Sequence, residues 1–354
     1  MELIRVGIAG VTGYGGGELA RLLSSHPQAQ ITYVTSGTYA GKPLHAALPG
    51  LRGTGLTCEV FDAAACADMC DVVFLAGEAG VAMQAAPLLL DAGKRVVDLS
   101  ADFRLKSSSE YAHWYGTPHT APELLPQAVY GLPELNKDAI AQARLVANPG
   151  CYPTSAILAL APLLSRSLVR LDTLIVDSMS GASGAGRSKF SLDFHFAEMN
   201  ESARAYGVGG THRHTPEIEQ ALAAIVGSDV KITFTPHLVP ITRGILTTAY
   251  AALAEVGNSA QDTLGSLHSL YTEYYQDAPF VAVLDAGLFP ATKHVQGTNQ
   301  CHLGIAVDAR TRRVVVVSAI DNLGKGAAGQ AIQNMNLMLG LPETMGLTGG
   351  AMWP

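Results

Sequence analysis

The chain has little charge, few cysteines and no long apolar run. Charged residues make up 15% of its 354 positions and hydrophobic residues 48%, which excludes a disordered chain and predicts a globular one. No stretch approaches the length of a membrane span, so no membrane partner is expected. Basic runs are absent and the formal net charge is −7, which argues against nucleic acid as a partner. An anionic ligand would have to be drawn by local arginines against the overall field. Cys58, Cys66, Cys70, Cys151 and Cys301 form an odd set with no framework spacing, which predicts a reducing, cytoplasmic compartment. Cys66 and Cys70 stand four apart, but no histidine or second pair completes a zinc set, and no metal is expected. The N-terminus runs straight into a strand-like segment, so no signal peptide is expected. Repeats and low-complexity tracts are lacking.

What is present suits two domains. The apolar segment Ile4–Ala9 is followed by Gly7-Ile8-Ala9-Gly10-Val11-Thr12-Gly13-Tyr14-Gly15-Gly16-Gly17 and then by a helical pattern over Glu18–Ser25. Strand, glycine turn and helix open a dinucleotide-binding unit, in which Gly10, Thr12, Gly13, Tyr14, Gly15 and Gly16 let the backbone approach a pyrophosphate. The spacing is G-x-x-G-x-x-G rather than the common G-x-G-x-x-G. A second strand, Gln30–Thr35, ends in Ser36, Gly37, Thr38 and Lys42, and no acidic residue occurs between Glu18 and Glu59. NAD-binding units usually end this strand in Asp or Glu, so hydroxyls and a lysine point to NADP. Asp71–Ala76 and Arg95–Leu99 read as further buried parallel strands, with a helix over Gly80–Ala92 between them. Beyond the second of these lies Arg104, which is suited either to an anionic group or to an ion pair with Asp102. Residues 107–134 read as a long connecting loop.

The centre of the chain is Asn148-Pro149-Gly150-Cys151-Tyr152-Pro153-Thr154. It lies between the strand Arg144–Ala147 and the helical pattern Ser155–Leu164. Pro149 and Gly150 break the strand and place Cys151 at or near a helix N-terminus, where a thiolate is favoured. Cys151 is thus a candidate nucleophile, the alternative being a small buried hydrophobe. Beyond residue 165 the strands lengthen and alternate: Thr173–Met179, Lys231–Leu238, Gly244–Leu253, Phe280–Leu284, His302–Asp308 and Arg313–Ala319. They predict a second, largely antiparallel sheet with helices on one face. The small-residue loop Ser180–Arg187 follows one strand. Gly209 and Gly210 lead to His212, Arg213 and His214, with Thr215 as expected N-cap and Pro216 as first helical residue. The small-residue helix beginning near Asp321–Ala331 is expected to return to the first domain.

Seven segments carry a family resemblance, in order and over nearly the whole chain: Gly10–Gly16, Leu99–Arg104, Asn148–Thr154, Ser180–Arg187, His212–Ile218, Phe234–Gly244 and Asp321–Gln330. Together they resemble the N-acetyl-γ-glutamyl-phosphate reductases, the NADP-dependent reductases of arginine biosynthesis. Their superfamily includes aspartate-semialdehyde and glyceraldehyde-3-phosphate dehydrogenases. The resemblance implies an α/β protein: a Rossmann-type cofactor domain (1–150 and 322–354), and an α+β domain with a largely antiparallel mixed sheet (151–321) for substrate and oligomerisation. It implies Cys151 as nucleophile, with His212 (or His214) as acid/base and Glu217 closing the histidine motif. A protonated His212 would depress the thiol pKa and return a proton to sulfur. Ser180, Gly181 and Asn322 are implied on the cofactor, and Arg104, Asn148, Ser183, Arg187, Tyr206 and Arg213 on an acyl-phosphate substrate. The chain departs from the family pattern at Gly37, where an arginine is expected. A dimer or tetramer is implied. A sibling reductase acting on aspartyl phosphate or a carrier-bound aminoadipyl phosphate, and a non-catalytic NADP sensor, are the alternatives.

Overall fold

A computed structural model describes residues 2–255 and 259–352. Residue 1 and residues 353–354, the ends of the expected cofactor segments, lie outside it. The chain divides into two compact units, one of residues 1–150, 186–188 and 327–349, the other of 151–185, 189–326 and 350–354.

The first unit is built on seven parallel strands. They are β1 (Ile4–Ala9), β2 (Ala29–Thr35), β3 (Cys58–Glu59), β4 (Val72–Leu75), β5 (Arg95–Asp98), β6 (Val129–Tyr130) and β7 (Leu145–Ala147). Their order is β3-β2-β1-β4-β5-β7-β6, so the winding reverses between β1 and β4, where open α/β sheets bind ligands. Val72 to Leu75 are all buried, as strands covered on both faces require. One face carries α2 (Ala63–Met69), α3 (Ala82–Asp91) and α4 (Ser108–Tyr115), whose Cys66, Met83, Leu89 and Tyr111 pack on Ala9, Val73 and Val96. Also in this unit, α1 (Tyr14–Leu23) packs on β1, α10 (Gly329–Met338) on β5, and α10 against α1 and α5 (Pro133–Gln142).

Helix α4 and strand β6 lie where a long loop was expected. Ser107 caps the helix by accepting from the Glu110 N–H, Gly116 ends it in the left-handed region, and Tyr111 stacks on Tyr115 one turn on. Those aromatic residues had read as loop composition.

The second unit is a mixed sheet of β8 (Ile175–Ser180), β9 (Arg204–Ala205), β10 (Thr233–Leu238), β11 (Ile245–Ala252), β12 (Val281–Val283), β13 (Cys301–Asp308) and β14 (Arg313–Ile320). The order is β12-β13-β14-β11-β8-β10-β9. The central pairings are antiparallel, while β8 with β10 and β12 with β13 are parallel. Strict alternation of burial along β11 marks one covered face. That cover includes α6 (Cys151–Ser165), which lies on β11 and β14, and α9 (Ala260–Tyr274), which lies on β13; α8 (Thr215–Val226) packs on α6, and α7 (Phe196–Met199) is a short surface turn.

Helix α6 is buried from Tyr152 to Leu164, which accounts for its apolar sequence all round. Pro162 interrupts its hydrogen-bond ladder and leaves Leu158 O without an intrahelical donor. The Tyr275 hydroxyl supplies one at 2.6 Å. Among the described residues no helix is long and apolar enough to cross a membrane.

Candidate active site

In the first unit the glycine loop joins β1 to α1. Gly10 has φ +86°, and a Cβ there would stand 2.8 Å from Ala76 O. A Cβ on Gly16 would stand 2.3 Å from Gly10 O, so the turn folds onto itself too closely for any side chain. Gly15 has open space above it, a Cβ on Gly13 would only touch Gly10 O at 3.5 Å, and Gly13 caps α1 without a side-chain bond. The first amides of α1 are thus presented bare, a cradle that fits a dinucleotide pyrophosphate. Thr12 Oγ1 lies 2.8 Å from Ser36 Oγ, which ties the loop to the end of β2, and Ser36 Oγ accepts from the Tyr39 N–H. Lys42 sits over the Tyr39 ring, 5.7 Å from its centroid, and Thr38 lies in the same turn.

Arg104 is buried at the mouth of this sheet. Its Nε donates to Asn148 O at 2.9 Å and its Nη2 to Leu99 O at 2.8 Å, so it braces the ends of β5 and β7. Asp102, the alternative to an anionic group as its partner, is engaged by other groups. Asp102 accepts from the amides of Gly80 and Met83 and from the Tyr111 hydroxyl, capping the start of α3. Asn148 is buried, its Nδ2 donating to Ala327 O and its Oδ1 accepting from Asn334.

In the second unit Cys151 is the first residue of α6. It is half-buried, while Cys58, Cys66, Cys70 and Cys301 are fully buried. The backbone of Gly326 presses on it. Asp321 organises that turn, accepting from the amides of Leu323, Gly324 and Gly297 and from Arg243 Nε at 2.9 Å. Next to Cys151, Tyr152 is buried in an aromatic cluster. Its ring meets His212, His214 and Phe234 edge-on at 5.7, 5.9 and 5.5 Å between centroids. Its hydroxyl lies 2.9 Å from the Tyr206 hydroxyl and donates to His237 O. Tyr206 in turn lies edge-on to His212 at 5.4 Å. His212 Nδ1 accepts from the His214 N–H at 3.1 Å, which leaves Nε2 to carry the proton of the neutral ring. Burial, and then the charge of Arg213, push the His212 pKa down to about 4. The expected imidazolium beside the thiol is therefore not the resting state. Thr215 begins α8 rather than capping it: His214 is the cap, and the Thr215 hydroxyl is buried.

Residues 5–143 match the semialdehyde dehydrogenase NAD-binding domain, and residues 151–322 the semialdehyde dehydrogenase dimerisation domain. A protein named N-acetyl-gamma-glutamyl-phosphate reductase from Pelotomaculum thermopropionicum is 53% identical over 352 residues, covering 99% of each chain. The chain belongs to the N-acetyl-gamma-glutamyl-phosphate reductase family. A protein of the same name from Desulforudis audaxviator is 51% identical over 99% of this chain and 100% of its own. Two solved structures share the fold. Aspartate semialdehyde dehydrogenase with NADP from Candida albicans has TM-score 0.72 at 18% identity, covering 96% of this chain and 99% of that one. Aspartate semialdehyde dehydrogenase II from Vibrio cholerae has TM-score 0.70 at 17% identity with the same coverage.

Against this family frame, several sequence candidates have internal partners. Asn322 Oδ1 accepts from the Gly244 amide and its Nδ2 donates to Ser183 Oγ, so both shape the loop that carries Gly181. A Cβ on Gly181 would stand 2.7 Å from Thr242 O. Glu217 is buried in the first turn of α8, and Arg213 is exposed. Arg187 clusters with the glycine loop in the first unit, while Tyr206, His212, Arg213 and Glu217 belong to the second. Tyr152, Phe234 and Gly326 escaped the sequence reading. For Tyr152 the signal was its place directly after the cysteine. Phe234 and Gly326 lay inside the resembling segments Phe234–Gly244 and Asp321–Gln330, but only the fold brings them to this site.

Proposed function

We propose that the chain reduces N-acetyl-γ-glutamyl phosphate to N-acetylglutamate 5-semialdehyde and phosphate, with NADPH, in arginine biosynthesis. The observation that carries this reading is Cys151, the one half-buried thiol among five, standing first in a buried fifteen-residue helix. The helix N-terminus stabilises negative charge on its sulfur. The sulfur attacks the acyl carbon, the carbon–oxygen bond to phosphate breaks, and phosphate departs with that electron pair. A thioester accepts hydride where a carboxylate would not. NADPH, when bound, supplies that hydride. Hydride addition leaves a thiohemiacetal oxyanion, whose carbon–sulfur bond then breaks to release the aldehyde and return Cys151 as a thiolate. His212, neutral with its proton on Nε2, serves as hydrogen-bond donor to charge growing on the carbonyl oxygen. Tyr152 fixes Tyr206 beside it, and Arg104 holds the turn that presents Cys151.

The working unit is a homo-oligomer, a dimer or tetramer. In support, the half-exposed face of the second sheet carries cross-strand rows of Met179 with Leu246, Thr248 with Val317, and Ile175 with Tyr250 and Val315. The family description of residues 151–322 is a dimerisation domain.

The test is the reverse reaction with N-acetylglutamate semialdehyde, NADP⁺ and phosphate, with NAD⁺ and phosphate-free controls. NADPH formation that requires phosphate and fails in Cys151→Ala is expected. No formation by reduced wild-type protein would reject the substrate assignment, and aspartate semialdehyde would be tried next.

A further inference from the structure

Arg187 follows β8 in sequence by seven residues, yet residues 186–188 cluster with the nucleotide-binding unit. Its Nη1 donates to Thr12 O at 3.1 Å and to Ala47 O at 3.4 Å. Thr12 belongs to the glycine loop, and Ala47 to the segment that joins β2 to β3. Ser36, the residue directly after β2, opens the second of these segments, and its hydroxyl is already joined to Thr12 Oγ1 in the first. In a doubly wound nucleotide fold, the end of the second strand is where the ribose 2′ position is read.

The other means of reading that position are weak here. No acidic residue lies between Glu18 and Glu59, and Gly37 brings no side chain. Lys42 is exposed, with its ammonium over the Tyr39 ring. Glu78, the nearby carboxylate, accepts from the Ser188 hydroxyl. Among the described residues, no hydrogen bond occupies Nε or Nη2 of Arg187. Two carbonyls therefore hold one corner of a planar fork and leave its remaining donors for a ligand. An arginine so fixed loses little further freedom on pairing with a phosphate.

We infer that Arg187 is the residue that selects the phosphorylated cofactor, its guanidinium pairing with the 2′-phosphate beside the hydroxyls of Ser36 and Thr12. This rests on the NADPH reading above and deepens it. It also replaces the substrate role suggested for Arg187 by resemblance. The inference assigns the cation for this contact to a loop about 150 residues away in sequence from β2.

The experiment is calorimetric binding of two cofactor fragments, 2′,5′-ADP and 5′-AMP, to the full chain, which differ in the 2′-phosphate. Wild type is expected to prefer 2′,5′-ADP. Arg187→Gln should weaken 2′,5′-ADP about 10- to 100-fold, the worth of a charged hydrogen-bonded pair, and leave AMP unchanged. Arg187→Lys should restore part of the loss, since a point charge lacks the fork. Lys42→Ala should change the preference less than threefold. Equal weakening of both fragments by Arg187→Gln would overturn the inference and leave Arg187 as a brace for the glycine loop. Retained preference in Arg187→Gln, or its loss in Lys42→Ala instead, would also overturn it. A wild-type chain that binds the two fragments equally would sink the NADPH reading itself, a result distinct from failure of Arg187.

Discussion

The backbone of Gly326 lies directly against the side chain of Cys151: a Cβ on Gly326 would stand 2.8 Å from Cys151 Cβ and 3.3 Å from its Cα. Gly326 N donates to Asp321 O, and Asp321 is itself fixed by Arg243 and three amides, so the turn cannot easily withdraw. A methyl group there must move the cysteine instead.

Gly326→Ala should therefore lower kcat on the order of 10²-fold, the cost of a misplacement near 1 Å, while NADPH binding by the first unit persists. Steady-state kinetics beside cofactor titration checks this. Unchanged kcat would mean that the cysteine tolerates the shift.

His212 should titrate far below an ordinary histidine. Its pKa of about 4 in the folded chain lies below the ordinary histidine value of 6.5, so between those values the unfolded chain binds the proton and the folded chain does not. Stability should then fall as pH drops from 6.5 toward 4, with no contribution from this group above 6.5. NMR titration of the ring reads the pKa directly. Arg213→Gln, which removes the second cause, should raise it.

Asp98 should act with the opposite sign. It is fully buried, and desolvation, followed by the charge of Asp102, pushes its pKa up to about 7. The folded chain thus holds a proton that the unfolded chain releases near 3.8, and stability falls as pH rises from about 4 to 7. Asp98→Asn mimics the protonated form and should remove this slope, so that the His212 slope stands alone. Denaturant midpoints of wild type and variant across pH 4 to 8 test it. Parallel curves would show that Asp98 is charged throughout.

Arg104→Gln should be destabilising first and catalytic second. Leu99 O and Asn148 O would each lose a charged donor in a buried place, at a cost of about 1–3 kcal/mol apiece. A lowered melting temperature accompanied by reduced kcat is expected. A raised KM for the acyl phosphate with an unchanged melting temperature would instead assign Arg104 to the substrate.

Both sheets were legible in sequence because each rests on short-range pattern. Val72 to Leu75 is an unbroken apolar run, and Arg313–Ile320 is a β-branched one, with four consecutive valines. Cys151 was legible for the same reason, since Pro149, Gly150 and Pro153 mark the turn locally. The two-residue strands β3, β6 and β9 were not, because two residues carry no period and pair only where a neighbour offers an edge. The aromatic cluster shows the same limit. Tyr152, Tyr206, His212 and Phe234 are spread over more than eighty positions, and the antiparallel pairing of β9 with β10 and the packing of α8 on α6 are the long-range contacts that gather them. The hydrogen-bond partners shown for Arg104 and Asn322 are main-chain or distant groups, so the support these side chains give the fold could not be read from local sequence.

The first unit takes α10 from near the end of the chain, and this sets a timetable. On the ribosome, β5 and the helices α1 and α5 emerge long before the helix that packs on them, with roughly 180 residues between even α5 and α10. At about 5–20 residues per second that is an interval on the order of 10–40 s. During it an apolar face of the nascent sheet waits for its last element. Chaperone demand should therefore fall on the growing chain, and a copy that moved α10 forward by circular permutation should need less of it.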